Sequence, residues 1–407
     1  MSWQTLIPVR SVRLWSTDPS KSRRASWLEL FFDLIFVAAV AQVGVPLRED
    51  YTLHGLMRYA LMFLLIWWAW LGQTMYSTRF DADDIVQRFL TLLQIFAAAA
   101  MAANAKSAFD SRDSAGFGAA YAVLRAVLVV QYLRARRVKE TRQLTTLYTV
   151  GFGLATFLWG VAALIPAPMR FWLWIAALLI DLGTPWLAVR HTHKYPPDAE
   201  HVPERFGLFT IILLGESVAA VMHGMESQDM WTPSAAISAF TGLGLAFGYW
   251  WWYFDVARGA AKRDVTTNRK TLLFQVWSYA HLPLYLCVAV VGVGVEHVIS
   301  LPPGVHLHQE DAWILTGAAA ALMTTLTIIG FTSDDAQMRR PSVVRWIVHF
   351  ALCLAALPAS FVATAVPPCM LLVYLALLCA LQVILTTTET VEEQRVESED
   401  LELVAEL

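Results

Sequence analysis

At 407 residues, 57% of them hydrophobic and only 15% charged, with a mean hydropathy of +0.50, the chain carries more apolar surface than a water-soluble fold of this length buries. A formal net charge of −3 gives neither the basic footprint of a nucleic-acid binder nor the acidity of a disordered chain, so nucleic acid is not expected as a partner. The composition predicts an integral membrane protein with lipid as its solvent.

Residues 1–26 are basic and read as a cytoplasmic lead-in lying against anionic lipid heads. They do not read as a cleavable signal, because the apolar run that follows holds Glu29 and Asp33 and offers no cleavage site. Apolar runs of about 20 residues, long enough to span a bilayer, then recur. They cover 27–46, 54–77, 88–106, 116–135, 147–166, 170–190, 206–224, 234–257, 273–299, 313–331, 343–364 and 369–387. The runs are continuous and do not alternate polar with apolar residues. This predicts an all-α polytopic bundle of about twelve spans over 27–387, not a β-barrel. An acidic tail, 388–407, closes the chain. Cys287, Cys353, Cys369 and Cys379 lie in apolar runs without metal-ligand spacing and read as small buried hydrophobes.

With the N-terminus inside, 24 of the 30 Lys and Arg residues fall in inner segments, four in outer segments, and Arg58 and Arg125 within spans. That bias predicts a multi-pass membrane protein with both termini cytoplasmic. Glu29 opens the first helix in WLELFFDLIFV, and Glu204, 175 positions on, opens the seventh in ERFGLFTIILLGESV. The next helix in each case carries tryptophans: Trp67, Trp68 and Trp70, then Trp250, Trp251 and Trp252. Two six-helix halves, 27–190 and 204–387, related by a parallel repeat would give this layout, which some transporters use. Chance matches in a twelve-helix chain would give it too.

Ionisable groups inside a bilayer cost about 2.5–3.5 kcal/mol each at a helix centre, so they mark interior sites. Glu29 and Asp33 are four apart, which stacks both carboxylates on one helix face. Arg125 lies nine residues into its helix and needs a carboxylate partner, for which Glu29, Asp33 and Asp181 are candidates. Arg205 and Glu216 are eleven apart and share one helix stripe, with Glu216 between Gly215 and Ser217. Trp251 and Trp252 precede Asp255 by about one turn, where they serve either an aromatic belt or a carboxylate-and-ring box for a cation. His281 lies before Pro283, and Glu296 sits near the outer end of the same helix. His191, His193 and His201 precede Glu204, and His201 stands in an H-x-x-E spacing with it, but Pro203 puts the helical geometry of a metal site in doubt.

The segments WLELFFDLIFVAAVAQV (27–43) and ERFGLFTIILLGESV (204–218) resemble the bacterial low temperature requirement protein A family. Arg125, the W-x-Y-F-D stretch Trp251 to Asp255 and the S-x-A-H-L-P stretch Ser278 to Pro283 support the likeness, which spans about 25–385. The resemblance implies a multi-pass bacterial membrane protein but no reaction or substrate. It maps the family's charged positions onto Glu29, Asp33, Arg125, Glu204, Arg205, Glu216, Asp255, His281 and Glu296.

Two functions fit. In a proton- or cation-coupled transporter, Glu29, Asp33, Glu216, Asp255 and His281 would do the proton or ion chemistry, with Arg125, Glu204, Arg205, Trp251, Trp252 and Glu296 lining the substrate. In an intramembrane enzyme, a cytoplasm-facing pocket of the same carboxylates, arginines and rings would act on a lipid or isoprenoid-like molecule. A membrane assembly or cold-adaptation factor without chemistry is a third reading. Membrane lipids and a small-molecule, ion or lipid substrate are the expected partners. Cofactor and oligomeric state are left open.

Overall fold

The computed structural model describes residues 11–15, 25–81, 84–109, 114–192, 194–228, 230–263, 265, 267–333 and 343–405. Of the described residues, 79% are helical. The helices are α1 (Trp27–Glu49), α2 (Leu53–Ser77), α3 (Ile85–Ala103), α4 (Ala115–Ala135), α5 (Arg142–Leu164), α6 (Met169–Leu187) and the one-turn α7 (Val189–Thr192). They continue as α8 (His201–Glu226), α9 (Pro233–Trp251), α10 (Asn268–Ser300), α11 (Gln309–Phe331), α12 (Val343–Leu354), the short α13 (Ala359–Val362) and α14 (Pro368–Ala405).

Each predicted run is helical, and nine helices among the described residues are long and apolar enough to cross a membrane. Helices α6, α9 and α12 fall outside the nine. The predicted helix at 343–364 is broken in two: α12 ends at Leu354, and Pro358 caps α13. A proline has no N–H to donate and disfavours helix at the residue before it, so the apolar run does not stay one helix. Most of the lead-in and the tail's acidic side chains lie outside the described residues, although the tail backbone extends α14 as far as Ala405.

Helix starts follow local chemistry. Ser26 and Glu29 form a capping box at α1, in which the Ser26 side chain accepts from the Glu29 N–H and Glu29 accepts from the Ser26 N–H. Asp84 caps α3 by accepting from Gln87 N at 2.8 Å. Thr232 caps α9, with Pro233 in the first turn. Helix α9 then gives way to a π turn, Trp252–Val256.

The chain folds as two compact units. One comprises 1–50, 54–212 and 262–274; the other comprises 51–53, 213–261 and 275–407. In the first, the strand β1 (Arg13–Leu14) pairs antiparallel with β2 (Phe80–Asp81), with Arg13 opposite Asp81. This straps Val12 into a buried aromatic cluster with Tyr76, Phe80, Tyr132, Tyr148 and Phe152. In the second, glycines bring backbones together, as small residues do between membrane helices. A Cβ on Gly224 of α8 would lie 2.9 Å from Ile299 Cβ and 3.1 Å from the Glu296 carbonyl of α10. All four cysteines are buried free thiols.

Gly224→Val therefore forces α8 and α10 apart and is expected to cost about 1–3 kcal/mol, the usual penalty for overpacking. Thermal unfolding in detergent checks it, with Gly215→Ala, whose Cβ meets nothing within 4 Å, as the tolerated comparison.

Candidate functional site

Within the first unit, α1, α2 and the opening turns of α8 bring the two signature segments onto one buried ion pair. Arg205 donates from Nε to Asp33 Oδ2 at 2.7 Å and from Nη2 to Asp33 Oδ1 at 2.5 Å. This bidentate fit uses the planar fork of the guanidinium. Trp70 Nε1 donates to Asp33 Oδ1 at 2.7 Å, and the Trp70 ring packs on Phe206 and Phe209 of α8. Arg205 Nη1 lies 3.4 Å from Glu29 Oε1 and donates to Ser77 Oγ at 3.3 Å. One arginine thus holds both stacked carboxylates of α1.

The cluster runs outward through titratable groups. The ring nitrogens of His201 lie 3.5 Å from Glu29 Oε1 and 3.2 Å from Glu204 Oε2, and Glu204 also accepts from the Ala25 N–H. Side-chain exposure falls from 39% at Glu204 and 12% at Glu29 to zero at His201 and Asp33. The doubt raised by Pro203 is corrected here. Proline is tolerated in the first turn, where no N–H is needed, so α8 starts at His201 and sets His201 and Glu204 one turn apart. His193 lies outside the described residues. Among the described residues, no group of three His, Cys, Asp or Glu side chains gathers as a metal site.

Arg125 meets Asp181, not Glu29 or Asp33. Its Nη2 donates to Asp181 Oδ1, Tyr121 donates to Asp181 Oδ2 at 3.1 Å, and both charged side chains are fully buried. The guanidinium also lies 4.5 Å from the centroid of the Phe152 ring, a cation–π contact. Opposite it, a Cβ on Gly72 would come 2.8 Å from Arg125 Nη1, so only glycine lets α2 approach this closely. The next residue, Gln73, accepts from Gln94 Nε2 at 3.1 Å. These buried amides, with Trp70, Ser77 and His201, are absent from the site residues expected from sequence. They carry no formal charge or lie at a helix edge, and a search for intramembrane charge passes over them.

The second unit holds the remaining candidates. Glu216 and Glu296 are half-buried, on α8 and α10. His281 is fully buried; its Nδ1 lies 2.7 Å from the Trp277 carbonyl and its Nε2 2.9 Å from the Tyr253 hydroxyl. A carbonyl only accepts, so Nδ1 carries the proton and Tyr253 donates to Nε2. His281 thereby anchors the π turn. Trp251, the last residue of α9, is 40% exposed, Trp252 is 2% exposed, and Asp255 is exposed.

Removing one partner of a buried pair strands the other. Asp33→Leu and Arg205→Met are each expected to cost about 3–5 kcal/mol, and the double variant to regain most of that loss. Thermal unfolding of the four proteins checks it; a double variant no better than the singles would show that the pair is not the energetic unit.

A profile of the bacterial low temperature requirement A protein (LtrA) family matches residues 24–383. A Rhizobium meliloti (strain 1021) protein named uncharacterized protein RA0937 is 28% identical over 307 residues, covering 72% of this chain and 73% of its own length. Both signature segments that meet at the Asp33–Arg205 pair fall inside the matched region, and the chain belongs to the bacterial low temperature requirement A family of multi-pass membrane proteins.

Proposed function

We propose that the protein is a proton-coupled secondary transporter of the bacterial inner membrane, with both termini in the cytoplasm. The observation that carries this reading is the graded string in the first unit, from part-exposed Glu204 through His201 and Glu29 to the buried Asp33–Arg205 pair. Neighbouring groups along it lie within 3.5 Å. Intramembrane titratable groups in contact are the usual material of proton relays.

The chemistry follows from charge balance. As an imidazolium, His201 donates to both Glu29 and Glu204. A proton passed to Asp33 neutralises the carboxylate that holds Arg205 and leaves Glu29, 3.4 Å from Nη1, as its remaining anion. Arg205 then shifts its bond from α1's second turn to its first. That change in partner is the two-state element that couples protonation to helix movement. Glu216, half-buried within an apolar span, supplies a separate carboxylate for the cargo or a second proton. The orientation rests on the distribution of Lys and Arg. A parallel repeat of six-helix halves belongs to the same proposal and rests on the paired signatures.

The test uses purified protein in vesicles that hold a pH indicator. Imposed Na⁺ or K⁺ gradients, and a panel of small organic cations, are applied in turn. At least one is expected to drive proton movement, which Asp33→Asn and Glu216→Gln reduce to the background of empty vesicles. Wild-type protein without such movement, or flux untouched by both substitutions, overturns the reading.

A further inference from the structure

The first unit also carries an open surface cleft of about 770 Å³, beyond the end of α4 and at the opening of α5. Its rim holds Lys139, Arg142 and Lys194, with His191 beside them and one acid, Glu140. This cationic excess is local, since the whole chain is slightly acidic. Gln143 and Thr146 add polar groups to the lining, although the Thr146 hydroxyl itself donates to the Arg142 carbonyl at 2.7 Å.

Position identifies the ligand. Two candidate membrane spans, Ala115–Ala135 and Arg142–Leu164, end and begin at this level, which sets the rim where headgroups meet hydrocarbon. Leu147 lines the cleft and packs against the aromatic cluster around Tyr132 and Tyr148. A cationic rim beside the apolar side chain of Leu147 complements a molecule with an anionic head and an apolar tail. Polybasic groups at a membrane surface attract anionic lipids, and arginine adds paired N–H donors suited to phosphate oxygens.

We infer that this cleft binds the phosphate of an anionic phospholipid headgroup, seated on Lys139, Arg142 and Lys194 with the acyl chains directed along Leu147. The site lies apart from the ion pairs above and does not depend on the transport reading.

Purified full-length protein in a neutral detergent is titrated with phosphatidylglycerol, phosphatidylcholine or inorganic phosphate, and its thermal unfolding is followed. Phosphatidylglycerol is expected to raise the midpoint by several degrees over phosphatidylcholine, with inorganic phosphate giving little. Lys139→Gln/Arg142→Gln/Lys194→Gln removes that difference. Lys194→Gln alone, at an exposed position, reduces it and guards against misfolding of the triple variant. Lys106→Gln, before the opposite end of α4, leaves it intact. Equal responses to both lipids overturn the proposal, as does a phosphatidylglycerol response that survives the triple variant. Stabilisation by inorganic phosphate equal to that by phosphatidylglycerol also overturns it and assigns the cleft to a free phosphate compound.

Discussion

Two buried ion pairs, Asp33–Arg205 and Arg125–Asp181, organise the first unit, because a charge this deep needs strong compensating contacts; Arg79 and Arg170, also buried, are held by carbonyl and hydroxyl oxygens. An isolated carboxylate or guanidinium in hydrocarbon loses far more hydration energy than a helix recovers, so α1 can keep Asp33 only because α8 delivers Arg205 to it in a two-bond fit. Trp70 adds a third donor from α2. Three helices are thereby fixed at one point, and the contacts of Trp70 with Phe206 and Phe209 add apolar packing around it.

The same rule operates at Arg125 and Asp181, with a different surround. Here the cation is held by a carboxylate, a tyrosine-bridged network and the face of Phe152, and by a glycine that brings the α2 backbone close. Among the described residues Asp181 is the acid that Arg125 reaches, whereas Arg205 reaches both Asp33 and Glu29. The Arg125 pair behaves as a fastener. The Arg205 pair has an alternative partner built in, and a bistable arrangement needs two discrete partners for one group. A buried ion pair that served stability alone would often be matched by well-packed apolar side chains; here Glu29 has two roles, accepting from the Ser26 N–H in the capping box of α1 and standing beside Arg205.

Much of this was legible in the sequence. Continuous apolar runs fixed the helices, and the four-residue spacing of Glu29 and Asp33 put both on one face, where Arg205 finds them. Depth alone required a partner for Arg125, and Asp181 was among its candidates. What escaped were choices made by tertiary packing. Spacing does not say which of three acids an arginine meets. It does not show that Trp70 turns its N–H inward, or that buried Gln73 and Gln94 pair. The π turn at Trp252–Val256 gave no sign of itself in the spacing of the aromatic residues that build it. Pro358 likewise broke a run whose hydropathy alone gave no warning.

The pairing also constrains how the site can work. While Asp33 is ionised, parting it from Arg205 strands two charges and costs about 3–5 kcal/mol, which keeps the minor state below about one per cent. Protonating Asp33 removes one of those charges. Glu29 then takes up the other without a long excursion, because it already stands 3.4 Å from Nη1. On the proposed transport reading, the barrier to rearrangement is set by whether a proton reaches Asp33, and His201 and Glu204, the groups that would deliver it, lie on the same helix as Arg205. Proton entry and helix displacement would then share α8 as a common element, each biasing the other.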